Sequence, residues 1–159
     1  MAVDSYIAIL EDSLVKKADI LRQLQLLSQE QSDILDDEGM MPEQFEENVE
    51  KKETLINKLA SLDDGFEQLY GRVREELISG KDQYIDSIRH MQELIRDVTD
   101  RSVQIQAIEA RNKEKAKRRF GEIRSQIREM KHSGKAVSSY YQNMMKMNVV
   151  EPQFWDSKK

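Results

Sequence analysis

Residues 82–132 read DQYIDSIRHMQELIRDVTDRSVQIQAIEARNKEKAKRRFGEIRSQIREMKH. Through this stretch runs a row of Tyr84, Ile88, Met91, Ile95, Val98, Ile105, Ile108, Asn112, Ala116, Phe120, Ile123, Ile127 and Met130. Steps of three and four residues place these side chains on one face of an α-helix. A repeat near 3.5 residues, held this long, is the pattern of coiled-coil packing. A helix from Asp82 to His132 would measure about 75 Å at ~1.5 Å per residue.

Two shorter periodic segments precede it. The first, from about Asp4 to Asp37, carries Ile7, Leu10, Leu14, Leu21, Leu24 and Leu35, widened by Ile20, Leu27 and Ile34. Asp4 or Ser5 is expected to cap its start by accepting a bond from a free backbone N–H. Met40-Met41-Pro42 makes the connection, and Pro42 suits a first helical position because its missing N–H would be unpaired there anyway. The second segment then carries Phe45, Val49, Ile56, Leu59, Leu62, Phe66, Leu69, Val73 and Leu77. Its phase holds across Asp63-Asp64-Gly65, so one helix with room for a kink is expected. Ser79-Gly80-Lys81 reads as a tight turn, with Gly80 expected to take the left-handed conformation of a C-cap.

Short turns make the three segments antiparallel neighbours. At ~1.5 Å per residue the first two span about 50–55 Å, so the third should outrun them at its C-terminal end. An overhanging apolar stripe needs another chain, or the protein's own tail, to cover it. The expected fold is therefore all-α: an elongated antiparallel three-helix bundle over residues 1–134, with a short C-terminal amphipathic segment and tail over 135–159.

Composition excludes most chemistry. The 159-residue chain has no cysteine and only two histidines, His90 and His132, so a thiolate or His-based metal site lacks raw material. Asp33, Asp36, Asp37 and Glu38 miss the alternating ligand spacing of a calcium loop. No phosphate loop, nucleophile elbow or zinc helix occurs. An enzyme, a metal or a cofactor is not expected. No apolar run has the ~20 residues of a membrane span, and Met1 to Ser5 lacks the basic and apolar regions of a signal peptide. A cytoplasmic location follows as the expectation.

Charge is distributed unevenly. Residues 1–80 hold 8 Lys and Arg against 19 Asp and Glu, whereas residues 81–159 hold 17 against 11. An acidic half packing beside a basic half of the same chain is the plainest reading. The basic run Arg111, Lys113, Lys115, Lys117, Arg118, Arg119, Arg124, Arg128 and Lys131 also fits a solvated face or a surface for an acidic protein partner. Tracking a phosphate backbone is disfavoured by the acidic total and the lack of a nucleic-acid motif. Asn112 takes a place where the row wants an apolar residue. It is either a polar core group that fixes register and partner number or part of a wet, frayed stretch.

The last twenty residues are unusual for a tail. Tyr140, Tyr141, Phe154 and Trp155 cluster there with Met144, Met145 and Met147. Unfolded tails are poor in such side chains, while aromatics and methionines concentrate binding energy. Val137, Tyr140, Tyr141, Met144 and Met145 fall at helical spacing. The segment is expected to fold back on its own bundle, to bind a partner, or to alternate between the two.

Four stretches carry a resemblance to a known family. They are Glu53-Thr54-Leu55-Ile56-Asn57-Lys58-Leu59, then Leu62-Asp63-Asp64-Gly65-Phe66-Glu67-Gln68-Leu69-Tyr70, then Val103-Gln104-Ile105-Gln106-Ala107-Ile108-Glu109-Ala110-Arg111-Asn112-Lys113, and finally Ser139-Tyr140-Tyr141-Gln142-Asn143-Met144 with the closing Gln153 to Lys159. In this order they resemble the FlgN-like flagellar export chaperones of Firmicutes type. The resemblance implies a cytoplasmic chaperone of flagellar type III secretion. It would bind hook–filament junction (hook-associated) proteins before export, with contact to the export apparatus as a further expectation. The implied substrate-binding region is about Phe120 to Met145, that is Phe120, Ile123, Ile127, Met130, Val137, Tyr140, Tyr141, Met144 and Met145. A self-associating coiled-coil protein, joined through the third helix or the tail, is the first alternative. A basic-helix nucleic-acid binder is the second.

Overall fold

The computed structural model describes residues 2–120. Three long helices make up this part: α1 (Ala2–Asp36), α2 (Pro42–Ser79) and α3 (Ile85–Arg119). α1 is the central element and lies against both others, while α2 and α3 reach each other through side chains. The architecture is an antiparallel three-helix bundle.

The buried positions of α1 are Ile7, Leu10, Leu14, Lys17, Leu21, Leu24, Ser28, Gln31 and Leu35, with Ala18 beside them. Steps of three and four alternate without a break, which is the seam of a coiled coil. Three apolar clusters stack along it. Ile7, Leu10 and Leu14 meet Phe66, Val73 and Leu77 of α2 and Ile88, Met91 and Ile95 of α3. The middle cluster joins Ala18, Leu21 and Leu24 to Ile56, Leu59, Val98 and Ile105. The third closes the far end with Leu35, Phe45, Ala116 and Phe120. A fully buried Leu such as Leu21, Leu24 or Leu59 contributes about 1.5–3 kcal/mol by leaving water.

Several ends differ from the sequence-based expectation. α1 begins at Ala2, so Asp4 lies inside the first turn rather than capping it. There its charge favours the helix dipole, and Val3 gains a place against the first apolar cluster. α2 starts as expected at Pro42, where the Gln44 side chain accepts a bond from the Met41 backbone N–H at 2.9 Å. It runs unbroken through Asp63-Asp64-Gly65.

Gly80 is not left-handed: its φ is −104° and its ψ 24°. Its N–H still donates to the Glu76 carbonyl at 2.8 Å, and its own carbonyl accepts from Gln83 and Tyr84 N–H groups. Right-handed winding thus carries the chain through the turn, which delays α3 to Ile85 instead of Asp82. What the position requires is space. A Cβ there would sit 3.0 Å from the Glu76 carbonyl oxygen and 3.2 Å from the Tyr84 ring.

At its other end α3 stops at Arg119, with Phe120 as C-cap immediately before Gly121. Over the described residues α3 does not outrun its partners. The stretch to His132 that the expected overhang needs lies outside them, as do residues 135–159.

Candidate functional site

Polar residues occupy core positions of all three helices, and the fold brings most of them into one layer between the middle and far clusters. Ser28 and Gln31 come from α1, Asn48 and Lys52 from α2, Glu109 and Asn112 from α3. Lys52 Nζ is 2.5 Å from a Glu109 carboxylate oxygen. The same oxygen accepts from Ser28 Oγ at 2.6 Å. Gln31 Oε1 accepts from Lys52 Nζ at 3.2 Å and from Asn112 Nδ2 at 3.1 Å. Asn112 Nδ2 also donates to the Ser28 carbonyl at 2.9 Å, and Asn48 Nδ2 donates to the neighbouring Leu27 carbonyl at 2.9 Å. Two amides, one from α2 and one from α3, therefore grip the same turn of α1 from both sides.

The layer is dry. Lys52 is 4% exposed and Asn112 2%. Burial pushes the Lys52 ammonium below its ordinary pKa, opposed by the charge and hydrogen bond of Glu109. The Oδ1 atoms of Asn48 and Asn112 are buried without a hydrogen-bond partner, which costs stability. A second buried pair, Lys17 with Asp63 at 2.5 Å, ties α1 to α2 one cluster away. It accounts for an Asp in the middle of the α2 seam.

Of the residues singled out in sequence, Asn112 lies inside the core, at the centre of this layer. Phe120 is also internal. It is 5% exposed and its ring meets Phe45 at a 5.6 Å centroid distance, tilted by 56°. It was expected to open an uncovered stripe. Instead α1 and α2 cover the described part of the α3 stripe through Phe120, because the α1–α2 connection lies beside its last described turn. Ile123, Ile127, Met130, Val137, Tyr140, Tyr141, Met144 and Met145 lie outside the described residues.

Sequence reasoning missed Lys17, Ser28, Gln31, Asn48, Lys52, Asp63 and Glu109 as interior residues. Their signal was phase, since each fills a three-or-four step in a row otherwise traced by apolar residues.

The basic run turns partly inward. Lys115 Nζ is 2.8 Å from both Ser32 Oγ and an Asp36 carboxylate oxygen, and Arg119 donates to the Asp37 carbonyl at 2.5 Å. Two of the four acids weighed as a calcium loop are engaged otherwise: Asp36 pairs with Lys115, and the Asp37 carboxylate accepts from Gly39 N–H at 3.0 Å. Among the described residues no group of three or more His, Cys, Asp or Glu could hold a metal ion. No described helix is long and apolar enough to cross a membrane.

A family model described as FlgN protein matches residues 1–148. The chain belongs to the FlgN family. FlgN proteins are flagellar export chaperones, a family not known for enzymatic activity, and they bind flagellar export substrates. No curated protein and no solved structure matches the chain. The family match extends well beyond the bundle described here, taking in the aromatic and methionine-rich segment up to Asn148. The polar layer of this FlgN chain carries charge between two apolar clusters, is largely withdrawn from solvent, and has the features of a register device.

Proposed function

We propose that this FlgN-family protein works in the cytoplasm, holding hook–filament junction proteins unassembled until their export. The residues from Ile123 to Met145 make the contact, by packing against helical termini of the substrate. The observation that carries this reading is the phase of the α3 row. Its described part is buried as far as Phe120, which packs with Leu35, Phe45 and Ala116 beside the α1–α2 connection. In sequence the row continues in phase through Ile123, Ile127 and Met130, and is followed by Val137, Tyr140, Tyr141, Met144 and Met145. Apolar and aromatic groups at helical spacing suit a partner, and helix-in-groove packing is how amphipathic segments of this kind are recognised. The bundle then serves as a rigid stem, and Asn112 and its polar layer hold the three helices in one register. Docking at the export apparatus belongs to the same proposal.

Calorimetric titration of the full chain with a purified hook–filament junction protein tests the reading. Saturable binding is expected, weakened by the pair Tyr140→Ala and Met144→Ala. Absence of binding to such a protein, or binding indifferent to both substitutions, overturns it.

A further inference from the structure

The two grooves flanking α1 are built differently. Toward α3, α1 presents Glu11, Gln25 and Ser32, spaced by multiples of seven. Glu11 bonds His90 at 2.8 Å, Gln25 bonds Gln104 and Arg101, and Ser32 bonds Lys115. This seam is closed by polar side chains. Toward α2, α1 presents Ile20, Leu27 and Ile34, and α2 answers with Leu55, Leu62 and Leu69, each set again spaced by sevens. All six are only half-buried. At Ile20 and Leu62 this face opens into a groove of about 710 Å³, lined also by Lys16, Asp19, Thr54, Asn57, Lys58 and Ser61. Residues seven apart stay on nearly the same helix flank, so the half-buried Leu27, Leu55 and Ile34 continue the apolar floor from it toward the α1–α2 connection. A floor of aliphatic residues at seven-residue spacing on two antiparallel helices is the seat of a further helix.

We propose that the occupant in the free protein is this chain's own segment from Val137 to Met145. Three observations point to it. The described chain ends beside the groove's mouth, where Phe120 packs on Phe45 and Arg119 bonds the Asp37 carbonyl. Ile20 lies 14 residues back along α1 from Ile34 at that mouth, about 21 Å at ~1.5 Å per residue. Residues 121–136 bridge that distance even when wound as a helix. Charge also matches. The exposed rim near the mouth carries Glu30, Asp33, Glu47 and Glu50 with Lys51, while residues 131–150 hold Lys131, Lys135 and Lys146 and no Asp or Glu. The inference goes beyond the chaperone reading and does not depend on it, since it concerns only the chain's own residues.

The chain has no cysteine, so introduced pairs report cleanly. Gln142→Cys is combined in the full chain with Thr54→Cys or Ser61→Cys in the groove, or with Val103→Cys on exposed α3 as the reference. A short bismaleimide is added to dilute protein, and products are read by intact mass and peptide mapping. Intrachain cross-linking of Gln142→Cys with Thr54→Cys or Ser61→Cys, several-fold above the Val103→Cys pair, is expected. Yields no higher than the Val103→Cys pair overturn the proposal. So do cross-links found only between chains, which would make a second copy the occupant. Titration with the junction protein is read separately, so failure here and failure of the chaperone reading are distinguishable.

Discussion

Lys52 Nζ and a carboxylate oxygen of Glu109 lie 2.5 Å apart and join α2 to α3 across the interior of the bundle. Their side chains are 4% and 13% exposed. A pair so placed trades a large desolvation cost against attraction, and the balance is seldom strongly favourable. Removing one partner is another matter, because the remaining charge is left buried. Lys52→Met should therefore destabilise the bundle by about 3 kcal/mol. Lys52→Met combined with Glu109→Leu should recover most or all of that loss. Urea unfolding of the single and double variants at neutral pH checks this, and equal loss in both would show that the pair acts independently of its charges.

The same lysine makes stability depend on pH. Its folded-state pKa is lowered from the ordinary 10.5, first by burial, with Glu109 opposing. Below the folded value both states hold the proton and the full burial cost is felt. Between the folded value and 10.5 the unfolded chain still binds a proton that the folded chain has released. Stability therefore rises with pH across that window. The difference in unfolding free energy between the native chain and Lys52→Met, followed over alkaline pH, should shift in the native chain's favour. A difference that stays flat contradicts the expectation.

The apolar skeleton was legible in sequence because each buried Leu, Ile or Val falls on a three-or-four step. Ile7, Leu10, Leu14, Leu21 and Leu24 on α1 are examples. Lys17, Ser28 and Gln31 fill the same row but were passed over, since a polar residue in isolation belongs to solvent. Their partners Asp63, Glu109 and Asn112 are remote in sequence, and only the antiparallel packing brings them together. Gly80 shows the converse. The sequence marks a turn, but whether glycine is there for a left-handed backbone or for want of room depends on where Glu76 and Tyr84 arrive. The segment after Phe120 could be recognised as apolar and aromatic, yet composition alone does not say which surface it meets.

Asn112 offers a test of register. Its Oδ1 is buried without a partner, so Asn112→Leu removes one unsatisfied acceptor while giving up the bonds to Ser28 and Gln31. A net gain of about 1 kcal/mol is expected, since a buried unsatisfied group costs about 1–3 kcal/mol. Specificity should fall at the same time, as it does when a lone core amide is removed from a coiled coil. Urea unfolding gives the first quantity. Light scattering coupled to size exclusion gives the second, as a broadened or mixed mass distribution. A less stable variant of unchanged mass would show that Asn112 contributes through its hydrogen bonds alone.

Gly65 and Gly71 lie within α2, and a Cβ at either meets nothing within 4 Å. Glycine in a helix interior costs about 1 kcal/mol relative to alanine. Gly65→Ala and Gly71→Ala should each raise stability by about that amount. They stand six residues apart, about 9 Å along the helix, and a Cβ at either shares no neighbour with the other, so the effects should add and the double variant should gain about 2 kcal/mol. Thermal and urea unfolding check both values. A loss at either position would reveal a backbone requirement that negative φ and open space do not predict.

Phe120 stands at the junction between the stem and the segment proposed to bind substrate, and its two conceivable roles can be separated. Its ring is enclosed by Leu35, Phe45 and Ala116, so Phe120→Ala should cost about 3–5 kcal/mol, as deleting a buried aromatic ring usually does. The loss should be local. Hydrogen exchange should accelerate in the last turns of α3 and around the α1–α2 connection, while amides near Leu21 and Leu59 stay protected. Phe45→Ala removes the other half of the same ring pair from a different helix. If Phe120 acts by closing the core, the two variants should weaken binding of a junction protein equally, in proportion to the lost order. Phe120→Leu, which refills most of the space, should then restore both protection and affinity. If Phe120 instead touches the substrate directly, only Phe120→Ala should lower affinity, and Phe45→Ala should loosen the stem without that loss. Calorimetric titration of the three variants, read beside their exchange profiles, decides between the roles. Equal losses for both alanine variants with rescue by leucine are the outcome the buried geometry predicts.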